Sequence, residues 1–441
     1  MGVWPVGRLL ASMAAPVMLS MLVQAFYNVV DSIFVARLSE QALTAVSLAF
    51  PLQNLIIAVG IGIAVGMNTL ISRSLGEQNT AQANQAANTG LFLNLCAFVG
   101  FSVLGVTLSP LFFQMQTQNA EIYQYGADYA SICLGCSVGI FCQFSFEWML
   151  QATGRTYLTM CTQLTGAIVN IILDPILIFG LLGAPRLEVA GAAIATVIGQ
   201  CAAAGLALFL NLTKNKEIHL SGTQIRWNTA AARNIFRVGF PTIVMTSIGS
   251  FMVFGLNRIL IAFSTTAAAV CGAYFKLQSF IFMPVFGLNN SMVPIIAYNY
   301  GAQKYDRVRK TIRLAITASL CVMGAGTVLL ECCPAQLLGL FSASPDMLAI
   351  GVPALRIIAF QFLPAGFSII VGSVFQAIGN PMHSLIASIC RQLVVLLPAA
   401  WLLAQTGILT LVWLALPISD LACLALSAYF FQKTRRTVLS L

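Results

Sequence analysis

Apolar stretches long enough to cross a bilayer recur along almost the whole chain, separated by connectors that are mostly short. A helix spanning the hydrocarbon core needs about 20 predominantly apolar residues. Twelve segments reach that length: 13–36, 42–70, 90–113, 125–150, 158–182, 189–212, 236–262, 267–299, 314–332, 347–375, 384–404 and 408–431. The pattern predicts an all-α membrane protein of 12 transmembrane helices. The first stretch carries Asp31 and leads directly into further spans, with no small-residue cleavage site behind it. It therefore reads as the first membrane helix and not as a signal peptide.

The longest polar connector, 213–235, divides the spans six and six. The expected domains are an N-lobe (1–212), a cytoplasmic linker (213–235) and a C-lobe (236–441). Displacing the second half by 225 residues aligns Pro16 with Pro241 and Phe50-Pro-Leu-Gln53 with Phe275-Lys-Leu-Gln278. The same displacement matches Gly76-Glu-Gln78 with Gly301-Ala-Gln303, Gly126 with Gly351, and Gln151-Ala-Thr-Gly154 with Gln376-Ala-Ile-Gly379. Each repeat holds an even number of crossings, so both begin on the same side. Such parallel repeats are related by an axis along the membrane normal, and substrate is expected between them.

Composition fits this reading. With 59% hydrophobic and 8% charged residues and a mean hydropathy of +0.89, the chain has too little polar surface to coat a soluble globule. The net charge of +9 does not point to nucleic acid, because the basic residues are scattered over short connectors without an aromatic stacking platform. Sixteen of the 22 basic residues, among them Arg8, Arg73, Arg155, Lys214, Arg307 and Lys433, belong to the termini or to even-numbered connectors. Only Arg37, Arg186 and Arg258 lie near the opposite side, which places both termini in the cytoplasm of a bacterial inner membrane.

Other chemistries lack their motifs. No Gly-Lys dipeptide occurs, so there is no phosphate-cradling loop and ATP is not the direct driver. His219 and His383 are too far apart for a zinc motif. The 12 cysteines, including the C-x-x-C of Cys133 and Cys136, fall in or beside apolar spans and read as small hydrophobes. Neither a cofactor nor a nucleic-acid partner is expected.

A charge at the bilayer centre costs roughly 3 kcal/mol on insertion scales, so each intramembrane carboxylate asks for an explanation. Asp31 lies deep in the first span, with the Tyr27 hydroxyl one turn away on the same face. Asp174 lies in the fifth span with Asn170 one turn away, and Pro175 frees the carbonyl of Ile171 as a further oxygen ligand. Two close carboxylates in hydrocarbon share a proton or a cation. Glu147, Arg391 and Asp420 read as near-interface pairs or gates, and Phe141, Phe144 and Trp148 as packing residues. Gln53, Lys276 and Gln278 are candidates to line a substrate cavity.

The ordered set Tyr27-Asn-Val-Val-Asp31-Ser-Ile-Phe-Val35, Asn170-Ile-Ile-Leu-Asp174-Pro-Ile-Leu-Ile178 and Gly191-Ala-Ala-Ile-Ala-Thr196 resembles the multidrug and toxic compound extrusion (MATE) transporters of bacteria. Asn299-Tyr-Gly-Ala-Gln303 and Gln376-Ala-Ile-Gly-Asn-Pro381 add to the likeness, which covers essentially the whole chain. The resemblance implies two six-helix lobes around a V-shaped cavity and antiport of cationic, amphipathic drugs against H⁺ or Na⁺. Carried over residue by residue, it makes Asp31, Asn170 and Asp174 the cation site, Tyr27 its aromatic neighbour and Thr196 its hydroxyl. Na⁺, if it is the coupling ion, would sit at Asp31 and Asp174. Pro16 is where the first helix bends. The partners implied are small organic cations and the lipid bilayer, with the chain acting as a monomer.

This sequence departs from the pattern of some members in the C-lobe. Span seven has no carboxylate between Pro241 and Ala262, and span ten offers Arg356 but no acid. Coupling is therefore expected in the N-lobe. Two alternatives stay open. A lipid-linked saccharide flippase would need a cavity rich in Arg and Lys, whereas only Lys276, Arg356 and Arg391 lie within spans. A membrane-embedded enzyme or receptor would need a site that works without rocking lobes.

Overall fold

A computed structural model describes residues 1–221, 225–341 and 343–438. Residues 222–224 of the predicted linker and 439–441 of the predicted C-lobe lie outside the described residues. The described residues contain helices and no strand. The α-helices are α1 (Val6–Ala36), α2 (Glu40–Gly76), α3 (Thr80–Gln116), α4 (Ala120–Gly135), α5 (Val138–Ala152), α6 (Thr156–Phe179), α7 (Glu188–Lys214) and α8 (Thr229–Ile261). They continue with α9 (Thr265–Gly301), α10 (Tyr305–Cys332), α11 (Pro334–Gly339), α12 (Pro345–Ala359), α13 (Phe362–Ala377), α14 (Met382–Ile389), α15 (Leu397–Ala404), α16 (Leu409–Val412) and α17 (Ala415–Val438).

Among the described residues ten helical segments are long and apolar enough to cross a membrane, and there are 12 when the bent pairs α4–α5 (45°) and α12–α13 (48°) each count as one span. The protein is thus a multi-pass, all-α membrane protein. On α3 the side chains of Val99, Val103, Val106 and Leu111 are exposed, and the hydroxyl of the exposed Thr107 among them is tied to the Val103 carbonyl at 2.8 Å, as solvation by hydrocarbon requires. The two bent spans were expected as single runs, 125–150 and 347–375. Backbone chemistry explains the breaks. Pro364 stands in the first turn of α13, and without an N–H it cannot accept continuation of α12's hydrogen-bond ladder. Gly135, Ser137 and Gly139 loosen the corresponding point between α4 and α5.

The 225-residue displacement holds at atomic detail. It carries α2 onto α9 from first residue to last, and the starts of α3 and α4 onto those of α10 and α12. Ser39 accepts a hydrogen bond from the Ala42 N–H at 3.0 Å to cap α2, and Ser264 accepts one from the Ala267 N–H at 3.0 Å to cap α9. The matched Gln78 and Gln303 turn the chain with φ of 60° and 57°.

By internal contacts the chain forms two compact units, Leu19–Ile243 and Met1–Met18 with Val244–Leu441. The divisions fall inside α1 and α8 at positions again 225 apart, each two residues beyond a proline, Pro16 or Pro241. In the first unit α2 and the start of α8 pack with little between them. A Cβ at Gly62 would meet the Gly239 carbonyl oxygen at 2.8 Å, and one at Gly239 would meet that of Gly62 at 2.6 Å, so only glycine fits there. Two Asn side chains on α3 pin the connector in this unit: Asn84 accepts from the His219 N–H at 2.8 Å, and Asn88 donates to the His219 carbonyl at 3.1 Å.

In the second unit the beginning of the chain is held by hydrogen bonds. Ser291 donates to the Met13 carbonyl at 3.0 Å, and Arg307 donates to the carbonyls of Met1 and Trp4 at 2.9 and 2.7 Å. Its most irregular element joins α14 to α15, a π-helical stretch at Cys390–Leu396. Pro398 follows closely; its ring crowds the carbonyl one turn back, and a wider turn relieves the crowding.

Candidate functional site

Three helices of the Leu19–Ile243 unit bring the predicted cation-site residues together. Tyr27 and Asp31 sit one turn apart on α1, Asn170 and Asp174 one turn apart on α6, and Thr196 on α7. The α6–α7 contact depends on absent side chains. A Cβ at Gly199 would meet the Gly166 carbonyl oxygen at 2.8 Å and Asn170 Cβ at 3.2 Å, so glycine at 199 lets the helices close until Asn170 reaches Thr196.

The Asn170 amide then bridges the two helices. With its nitrogen towards the acid it donates to Asp174 Oδ2 at 3.2 Å, and its oxygen accepts from the Thr196 hydroxyl at 3.3 Å and the Thr196 N–H at 3.2 Å. This orientation satisfies both ends of the amide. Asp174 is fully buried, 0% exposed, and Asn170 is 3% exposed. Asp31 and Asp174 lie within hydrogen-bonding reach of each other, while Asp31 Oδ1 is buried without a partner.

Two facing carboxyl groups are both acceptors when ionised, so their contact is favourable only with a shared proton or cation. Neither makes an ion pair among the described residues. The surrounding donor set consists of carboxylate, amide and hydroxyl oxygens. Such hard ligands suit a proton or an alkali cation better than a thiophilic metal. Among the described residues no group of three or more His, Cys, Asp or Glu could hold a metal ion.

Gln53 of α2 borders the same cluster, donating to the Tyr129 hydroxyl at 3.0 Å. Tyr129 and Cys133, one turn apart on α4, are close enough to feel the Asp31 charge. Sequence reasoning overlooked Tyr129, although a signal existed. At the 225-residue displacement Tyr27, Asp31 and Tyr129 meet Met252, Leu256 and Ala354, whereas Gln53 meets Gln278. Three polar members of the cluster are thus apolar in the other copy, and that asymmetry marks them.

Other singled-out residues fall elsewhere. Lys276 and Gln278 belong to the second unit, where the exposed Lys276 ammonium lies 6.0 Å from the Phe341 ring centre. Among the described residues Glu147 makes no ion pair. Its buried carboxylate accepts from Gln143 at 3.0 Å, Thr162 at 2.9 Å and Gln163 at 2.9 Å, so it is a hydrogen-bonded interior acid. Arg391 and Asp420 do pair, at 3.2 Å. Sequence reasoning found no nucleophile-elbow motif, yet Gly135-Cys-Ser137-Val-Gly139 has that spacing; it lies at the α4–α5 bend with no strand before it and the Ser137 hydroxyl buried without a partner.

The MatE family model matches this chain twice, at residues 16–176 and 241–402, once per repeat. Among similar proteins, the FAD transporter of Shewanella oneidensis is 28% identical over 439 residues, covering 97% of this chain and 95% of that protein. The multidrug export protein MepA of Staphylococcus haemolyticus is 25% identical over 422 residues, covering 95% and 92%. The fold matches a solved outward-facing multidrug resistance MATE family transporter of the MOP superfamily with a TM-score of 0.93 at 23% identity, covering 99% and 98% of the two chains.

Proposed function

Because the chain belongs to the MatE family, whose members are membrane transporters and not enzymes, we propose that it is a secondary active antiporter exporting cationic, amphipathic compounds in exchange for H⁺ or Na⁺ at the Asp31–Asp174 site. The observation that carries this reading is a fully buried Asp174 carboxyl within hydrogen-bonding reach of that of Asp31, neither of them in an ion pair among the described residues. Such a pair demands a cation, and an organic cation or a small ion answers the demand equally. Relatives named as multidrug export proteins support the class of cargo.

Binding of one cation discharges the pair and lowers its affinity for the other, which is the reciprocity that antiport needs. Access would change as α1 bends near Pro16, whose ring removes a backbone donor two residues before α1 passes from one compact unit to the other. The protein acts as a monomer in the bacterial inner membrane, with both termini cytoplasmic. Cysteine labelling at Gly2 from either side of the membrane checks that orientation.

Efflux of a fluorescent organic cation from proteoliposomes under an imposed pH or Na⁺ gradient tests the mechanism. Asp31→Asn and Asp174→Asn are expected to abolish the gradient-driven component, a loss of about 5- to 150-fold if the coupling free energy has its usual size. Normally inserted Asp31→Asn protein with wild-type gradient-driven efflux would overturn the proposal. The gradient that drives the wild type identifies the ion.

A further inference from the structure

The Met1–Met18 and Val244–Leu441 unit holds a polar cluster of its own, within spans and unused by the mechanism above. Arg391, in the π-helical stretch, donates to Asp420 of α17 at 3.2 Å. The buried Tyr274 of α9 feels both charges, and Gln361 donates to its hydroxyl. At the 225-residue displacement Tyr274 and Gln361 meet Ala49 and Cys136. These two members of the cluster are therefore particular to this half.

The pair is closed on one side only. The Asp420 side chain is 4% exposed and that of Arg391 28%. A guanidinium has five N–H donors, arranged as edges that fit a carboxylate or phosphate with two parallel hydrogen bonds. Among the described residues Nη1 is the nitrogen that donates to Asp420, which leaves the Nε–Nη2 edge without a protein acceptor. An ionised guanidinium with most of its donors uncommitted is costly at membrane depth unless something comes to meet it.

We propose that Arg391, held in position by the buried Asp420, binds a phosphate or carboxylate group of the cargo. This deepens the export reading and rests on it: the protein would take anion-bearing aromatic compounds as well as cations. A relative named as a transporter of FAD, an aromatic molecule carrying two phosphates, fits that chemistry.

Riboflavin and flavin mononucleotide share one ring system and differ by a phosphate, so their affinities for protein in phosphatidylcholine nanodiscs isolate the anion's contribution. The wild type is expected to prefer the phosphorylated flavin by roughly tenfold, a modest value for one charge-assisted bidentate contact. Arg391→Gln should erase the preference and Arg391→Lys restore part of it, since lysine keeps the charge but not the fork. Asp420→Asn should reduce the preference without erasing it, because the arginine keeps its charge but loses the carboxylate that fixes it.

A wild type without preference overturns the proposal, as does Arg391→Gln weakening both flavins equally, which a merely structural ion pair would do. If phosphatidylglycerol stabilises the wild type against heat but not Arg391→Gln, while flavin discrimination is unchanged, the site belongs to a lipid headgroup and the cargo assignment fails. Binding is read without a gradient. A negative result here is therefore separable from failure of ion coupling at Asp31.

Discussion

Asn170 shows how one amide turns two isolated polar side chains into a site. It holds Asp174 from α6 and Thr196 from α7 together, at 3.2 and 3.3 Å. Asn170→Ala should leave the protein inserted but weaken its response to the coupling ion by about tenfold, the order of one hydrogen bond to a charged group; ion titration of efflux rates measures this. Glu147 makes the opposite case, an acid whose neighbours already satisfy it. Glu147→Leu strands three donors at roughly 1–3 kcal/mol each, so the purified variant should melt well below the wild type. At this scale Asp31, Asp174, Asn170 and Tyr27 were legible in the sequence because a carboxylate in an apolar run is expensive. Tyr129 was not, because a tyrosine in a span carries no such cost. Nor could spacing show that Glu147 makes no ion pair among the described residues, since its donors come from two helices.

Among the elements, α6 and α7 set the site's width through Gly166 and Gly199. Gly199→Val should force them apart, separating Thr196 from Asn170 and costing about 1–3 kcal/mol in packing strain. Gly205→Val on the same helix, where an added Cβ meets nothing within 4 Å, is the matched control. Comparing thermal stability and efflux of the two variants tests whether contact, and not helix propensity, is responsible. Hydrophobic length alone located every span, because the bilayer fixes how long an apolar run must be. It did not locate the 45° and 48° bends or the π-helical stretch. These follow from single backbone donors lost at proline and from loose Gly/Ser positions, to which a hydropathy pattern is blind.

For the molecule as a whole, the repeat was readable as a constant 225-residue displacement, since matched turns need matched residues. The composition of the compact units was not, because sequence marks where a connector is polar and not which helices pack together. Each unit borrows part of a helix from the other half of the chain, residues 1–18 in one case and the start of α8 in the other. Fragments 1–224 and 225–441 expressed singly should therefore be degraded or protease-sensitive. Expressed together they should co-purify and restore efflux, and a stable, protease-resistant single fragment would contradict that expectation.

The Arg391–Asp420 pair bears on how such a protein diversifies. If the proposed coupling at Asp31 and Asp174 is the engine, a side chain in the other half can change sign without disturbing it. New tastes in cargo would then arise by mutation around positions 391 and 420, while the carboxylates of the first half stay as they are.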